Sequence, residues 1–234
     1  GCACEYNAVP ADTLHALPDA VSFRDAALIE PMAVGFGVVR RINEVSDIHD
    51  KKVCVVGAGT IGNLVAQACK AMGAAQVMIT DILNEKLALA KRCGIDFAVN
   101  TRDTPLADAI VSCFGEDKAD IIVDSAANPF VFKSIMEAAR KASIVVISGN
   151  YKEPVSFDVT LLQRREITLL GHMMYIHDEY KDALEQLAMG NIHTDGLITQ
   201  EWTLQQYPEA FKFMDEHPNG VVKMIVRITD DETV

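Results

Sequence analysis

The chain has 234 residues, half of them apolar and 23% charged, enough to close one sizeable core or two modest ones and too apolar for a disordered tail. Its 33 acidic and 21 basic side chains give a net charge of −12, which repels phosphate backbones and anionic lipid surfaces, so neither nucleic acid nor a membrane is an expected partner. No apolar run approaches the roughly 20 residues that span a bilayer, and the first residues lack the basic, apolar, small-residue order of a secretory signal; the expected location is cytoplasmic.

Of the cysteines, Cys54, Cys69, Cys93 and Cys113 fall singly inside apolar stretches, where a thiol packs as a small hydrophobe rather than joining a disulfide framework. Cys2-Ala3-Cys4 is too closely spaced for a zinc knuckle, and no His or Cys pair follows to complete four ligands.

Residues 1 to 50 read as a mixed region, extended at first and turn-rich around Leu17-Pro18-Asp19. Ser22, with Asp25 three residues on, resembles a helix cap, and Pro31 is expected to limit the short helix that follows. Met32 to Arg41 regains apolar character with two glycines, as in a helix packed closely against a neighbour.

From Lys52 onward, short runs rich in Val and Ile alternate with longer amphipathic segments, the pattern of a parallel sheet with crossover helices. The strands read as Val53 to Val56, Gln76 to Thr80, Phe97 to Val99, Ile121 to Asp124, Ile144 to Ser148 and Ile167 to Leu170. Helices are expected near Ile61 to Met72, Asn84 to Arg92, Pro105 to Phe114 and Phe130 to Lys141, with a non-helical link through Tyr151 to Leu162. The predicted fold class is α/β, a doubly wound six-stranded sheet of the nucleotide-binding type. After Gly171 the cadence breaks: a helix from Glu179 to Met189, another around Pro208 to Glu216 and a strand from Val221 to Ile228 are surplus to that sheet.

The most informative stretch is Val53-Cys54-Val55-Val56-Gly57-Ala58-Gly59-Thr60-Ile61-Gly62, a buried strand running into glycines spaced G-x-G-x-x-G and then into a helix. In that context Gly57 permits the tight turn, Gly59 lets a pyrophosphate approach the backbone, and Gly62 lets the helix lie close to the sheet. Thr60 and Ile61 open the helix, whose N-terminal amides and dipole favour the anion. Asp81 lies nineteen positions beyond Gly62, at the end of the second strand. Its carboxylate can accept both ribose hydroxyls of NAD and would repel a 2′-phosphate, so NAD is expected over NADP.

Lys86 either lies over the ribose or adenine or is a solvated residue of a first helical turn. Two further loops, at Asp124-Ser125-Ala126-Ala127-Asn128-Pro129 and Ser148-Gly149-Asn150, share the rim where ligands of such sheets bind. Ser125, Ser148 and Gly149 are the cofactor candidates there, with backbone groups of the second loop expected to face the nicotinamide.

With those residues in hand, the chain resembles the zinc-type medium-chain dehydrogenases, in the branch that includes sorbitol dehydrogenase and related polyol, sugar-acid and threonine dehydrogenases. The resemblance is carried by Glu5-Tyr6, Val9-Pro10, Ala26-Ala27-Leu28-Ile29-Glu30-Pro31, the glycine turn, Tyr207-Pro208-Glu209-Ala210-Phe211 and Gly220-Val221-Val222-Lys223. It implies a GroES-like catalytic lobe wrapped around the nucleotide domain, with the end of that lobe at residues 1–30, the NAD-binding domain at 31–171, and a segment at 172–234 that returns to the lobe. The Cys and the His-Glu pair that ligate catalytic zinc in this family, and its four-cysteine structural loop, have no counterpart here. Glu30 matches the acid of the family's Glu-Pro motif beside the zinc, but one carboxylate cannot satisfy an ion that takes about four ligands; in this chain by itself it reads first as an acid making an ordinary hydrogen bond.

Two departures weigh against polyol selectivity: Ala126-Ala127 stand where the family has Thr-Gly, and Met174 replaces an arginine of the polyol branch. His172 and His177 read as packed or solvated side chains, and no residue is assigned a catalytic role. The resemblance implies an NAD- and zinc-dependent oxidoreductase acting on a secondary alcohol or its ketone, of which this chain, the C-terminal portion, supplies the cofactor half and alone turns over little. The alternative is a catalytically incomplete NAD-binding or dimerisation module. The strand at Ile167 to Leu170, at a sheet edge, either pairs with its twin in a homodimer or homotetramer or is covered by Met173-Met174-Tyr175.

Overall fold

The structure, a computed structural model, describes residues 3–217 and 220–229; Cys2 of the Cys-Ala-Cys pair lies outside them. The elements begin with α1 (Phe23–Ala26), α2 (Ile29–Asn43), β1 (Lys52–Val56), α3 (Thr60–Ala71), β2 (Gln76–Asp81), α4 (Asn84–Arg92), β3 (Phe97–Asn100) and α5 (Leu106–Phe114). They continue with β4 (Ile121–Asp124), α6 (Pro129–Ala138), β5 (Ile144–Ile147), α7 (Thr160–Arg165), β6 (Thr168–Gly171), α8 (His177–Ala188), β7 (Ile198–Thr203), α9 (Tyr207–Glu216) and β8 (Lys223–Arg227).

The predicted doubly wound sheet forms: six parallel strands in the order β3-β2-β1-β4-β5-β6. Buried Val and Ile runs satisfy both faces of a sheet whose crossover helices leave neither face to water. On one face, Cys54, Val56 and Met78 pack with Leu106 and Ile110 of α5 and Phe132 and Ile135 of α6. Helices α2 and α3 lie together, brought close by Gly35, where an added Cβ would sit 2.9 Å from the Leu64 carbonyl oxygen. At Gly37 the same atom would sit 2.5 Å from the His172 ring. The two glycines of the Met32–Arg41 run thus each face a close neighbour.

Strand order reverses between β1 and β4, where Val56 is in register with Asp124 on one side and with Thr80 on the other. Ligands of open α/β sheets bind in the crevice beyond the carboxyl ends at such a point.

Three local expectations need correction. Pro31 does not end a helix; it sits in the first turn of α2, where its missing N–H has no intrahelical acceptor to lose. The link from Tyr151 ends in a helix, α7, from Thr160. A strand the sequence reading omitted, β7, pairs in parallel with β8. The chain divides into two compact units, one spanning Ile29–His193 and the other built from the segments on either side. Within the first, α8 buries Glu179 against α2, where Arg40 pairs with it, and Gln67 of α3 exchanges hydrogen bonds with the His193 backbone.

In the other unit, Ser22 caps α1 by accepting the Asp25 amide at 3.0 Å, as the sequence suggested. Asp25 also accepts the Thr194 hydroxyl at 2.6 Å, and the ring of Trp202 of β7 lies tilted against Phe213 of α9 at 5.6 Å between ring centres. Among the described residues no helix is long and apolar enough to cross a membrane.

Candidate functional site

The glycine turn joins β1 to α3 at the switch point, and each glycine meets a different constraint. Gly57 has φ +102, and an added Cβ would press on the Ala126 amide nitrogen at 3.1 Å. At Gly62 the same atom would lie 1.8 Å from the Gly57 carbonyl oxygen, an overlap that backbone cannot relieve. Gly59 differs: its φ is −69, and an added Cβ would meet nothing among the described residues within 4 Å. The first two are required by packing. Gly59 instead leaves open space at the head of α3.

Helix α3 starts without a side-chain cap, so the Ile61 and Gly62 amides at its head have no intrahelical acceptor. Uncapped amides and the positive end of the helix dipole, beside an open approach, suit an anion such as a diphosphate.

Asp81 ends β2 across from the turn, and its carboxylate is already engaged. One oxygen accepts the Ala58 amide at 2.8 Å, the other the Ile82 amide at 2.7 Å and the Leu83 amide at 3.0 Å. Three amides fill three of about four lone-pair sites, leaving room for a sugar hydroxyl while the negative charge stays beside the turn. The residues present therefore fit a dinucleotide. Lys86, in the first turn of α4, is half-buried.

The middle loop of the rim, after β4, is organised by Asp124, which is fully buried. One of its oxygens accepts the Ala126 and Ala127 amides at 3.0 and 3.2 Å, and the other accepts the Tyr151 hydroxyl at 2.5 Å. Ala127 is held at φ 50, in the left-handed region that costs an alanine about 1 kcal/mol. Burial, with the Asp124 carboxylate next, pushes the Tyr151 phenol above its ordinary range.

The third loop is tied to the second. The Ser148 and Gly149 amides both donate to the Asp124 carbonyl, at 3.0 and 2.8 Å, so they are spent on holding the loops together. The Ser125 and Ser148 hydroxyl oxygens are both buried without a hydrogen-bond partner among the described residues. Burial without a partner is costly for a hydroxyl, and at Ser125 it falls beside the glycine turn, the side chain lying within 3.3 Å of a Cβ built on Gly62.

Glu30 is exposed in the first turn of α2. It faces Tyr175, whose phenol is held above its ordinary range by burial first and by Glu30 second. Among the described residues no three His, Cys, Asp or Glu side chains converge as a metal site. These residues do not fit zinc, so no step is assigned to a metal here. His172 lies far in sequence from the turn, packed on Gly37, and its imidazole is held below its ordinary range by burial.

A family model described as zinc-binding dehydrogenase matches residues 60–189, more than half of the chain. The chain belongs to the zinc-binding dehydrogenase family. Within this medium-chain dehydrogenase family it is similar to a D-xylulose reductase of Saccharomyces cerevisiae, 30% identical over 97% of this chain and 64% of that protein. It thus spans less than two thirds of the length of such curated relatives and corresponds mainly to the cofactor-binding portion of these dehydrogenases. Two solved dehydrogenases share the fold. One is an alcohol dehydrogenase of Escherichia coli complexed with NADH, at 26% identity and a TM-score of 0.82, covering 94% of this chain and 64% of that one. The other, of Sinorhizobium meliloti and bound to NADP, has 23% identity and a TM-score of 0.81 over the same shares.

Sequence spacing alone brought out the glycine turn, Asp81 and the two rim loops. The link between those loops, Tyr151 to Asp124, it missed; an acid closing a buried strand was the one available signal.

Proposed function

We propose that this chain is the cofactor-binding part of an NAD-dependent dehydrogenase that interconverts a secondary alcohol and its ketone. The observation that carries the reading is the open space over Gly59 at the uncapped head of α3, beside the Asp81 carboxylate. In this reading the diphosphate lies over Gly59, Thr60, Ile61 and Gly62, Asp81 accepts a ribose hydroxyl, and Lys86 lies beside the adenosine half. The loops at Ser125 and at Ser148-Gly149 frame the nicotinamide half. When bound, the nicotinamide supplies the hydride acceptor or donor. The chain's own residues then bind and orient: the α3 amides offset the diphosphate charge, and the Asp81 carboxylate disfavours a 2′-phosphate.

Substrates of the polyol or sugar-acid kind, a cytoplasmic location and pairing of two copies through β6, which ends the sheet, belong to the same proposal. The test is turnover by this polypeptide with NAD, zinc and a panel of secondary alcohols, beside NADH binding. Binding with little or no turnover is expected. Robust zinc-dependent oxidation would overturn the division of labour, and failure to bind NADH would overturn the whole reading.

A further inference from the structure

Beyond the glycine turn, three loops meet at the carboxyl ends of β1, β4 and β5, and their backbones touch. A Cβ on Gly57 would meet the Ala126 amide nitrogen at 3.1 Å, and one on Gly149 would meet the Ala127 amide nitrogen at 2.8 Å. The middle loop is therefore clamped between its neighbours, and its shape depends on the fully buried Asp124 side chain. That carboxylate holds the middle loop through the Ala126 and Ala127 amides. It holds the third loop through the Tyr151 hydroxyl at 2.5 Å, which also lies 3.4 Å from the Asn128 carbonyl oxygen. The Tyr151 ring is wedged edge-on against Phe132 of α6, at 6.2 Å between centres. Asn128 caps α6 by accepting the Phe130 amide at 2.9 Å.

We propose that Tyr151 is a positioning residue: its hydroxyl, donated to Asp124, locks the 125–128 and 148–151 loops into the one arrangement that receives the nicotinamide half of the cofactor. The inference rests on the dinucleotide reading above and deepens it. Tyr151 acts through Asp124 and the two loops. Ala127, held in the left-handed region, is the residue whose conformation relaxes when the lock is lost, because a carboxylate missing one donor is free to reorient.

The lock serves only one end of the crevice, and that makes it testable. ADP-ribose carries the adenosine and diphosphate of the cofactor without the nicotinamide, so it reports on the glycine turn and Asp81 alone. Calorimetry of the full chain with NADH and with ADP-ribose, before and after Tyr151→Phe, separates the two ends. The variant is expected to bind NADH about tenfold more weakly and ADP-ribose within twofold of the unaltered chain. A far-ultraviolet circular dichroism spectrum establishes that the variant is folded. Asp124→Asn combined with Tyr151→Phe is expected to cost little more NADH affinity than Asp124→Asn alone, since both remove the same lock. Equal losses for both ligands, or no loss for NADH, would overturn the positioning role while leaving the dinucleotide reading intact. An unaltered chain that binds neither ligand would overturn both.

Discussion

The carboxylate of Asp81 accepts the amide of Ala58 at 2.8 Å, joining the end of β2 to the middle of the glycine turn. One acidic side chain therefore shapes the turn and sets the charge beside it. Replacing it with asparagine puts an N–H₂ where an oxygen now accepts an amide, and hydrogen bonds to a charged group are worth about 1.5–3 kcal/mol. Asp81→Asn is expected to weaken NADH about tenfold or more and to narrow its advantage over NADPH, both read by titration. Unchanged NADH affinity would contradict the role of the acid.

Gly59 and Gly62 form a matched pair for mutagenesis. Gly59→Ala is expected to change stability by less than about 1 kcal/mol, because its φ is ordinary and its Cβ enters open space, yet to weaken NADH more than tenfold by filling the approach to α3. Gly62→Ala drives a Cβ to 1.8 Å from the Gly57 carbonyl oxygen and is expected to lower stability by about 1–3 kcal/mol. Urea unfolding with cofactor titration on both variants checks this; the pattern fails if Gly59→Ala binds NADH normally.

Arg40 and Glu179 join α2 to α8, and Glu179 is 2% exposed while Arg40 is 39% exposed. Arg40→Met leaves the buried carboxylate without its cation. After allowance for the solvent around Arg40, about 2 kcal/mol is expected, seen as a fall in Tm of roughly 4–8 °C. A fall of less than a degree would mean that the pair contributes nothing measurable.

The His172 imidazole sits below its ordinary range because burial opposes its charge, with Arg40 and Arg41 adding to that and Glu179 opposing it. The unfolded chain then binds the proton more readily than the folded one, so this group costs nothing above about pH 6.5 and removes stability as pH falls below it. The urea midpoint is expected to drop between about pH 7.5 and 5.5, and to drop less in His172→Asn. Equal drops would remove His172 from the account.

The β1-turn-α3-β2 unit was legible in the sequence because every feature that builds it lies within about thirty consecutive residues: an apolar run, three spaced glycines and a terminal acid. What was not legible depends on pairs distant in the chain. Tyr151 and Asp124 are 27 residues apart, and Arg40 and Glu179 are 139 apart, with no periodicity to connect either pair. Strand β7 was hidden by its polar Gln200-Glu201 centre and the register shift between Ile198 and Gln200. The ties of the 148–150 loop were not legible either; only the folded chain reveals the Asp124 carbonyl that takes the Ser148 and Gly149 amides.

The central claim is that the head of α3 and Asp81 together form a seat for NAD. Isothermal calorimetry of the purified chain with NADH and with NADPH tests it most directly. One NADH per chain, bound more tightly than NADPH, is the expected result; no heat with either dinucleotide, or tighter binding of NADPH, would contradict it.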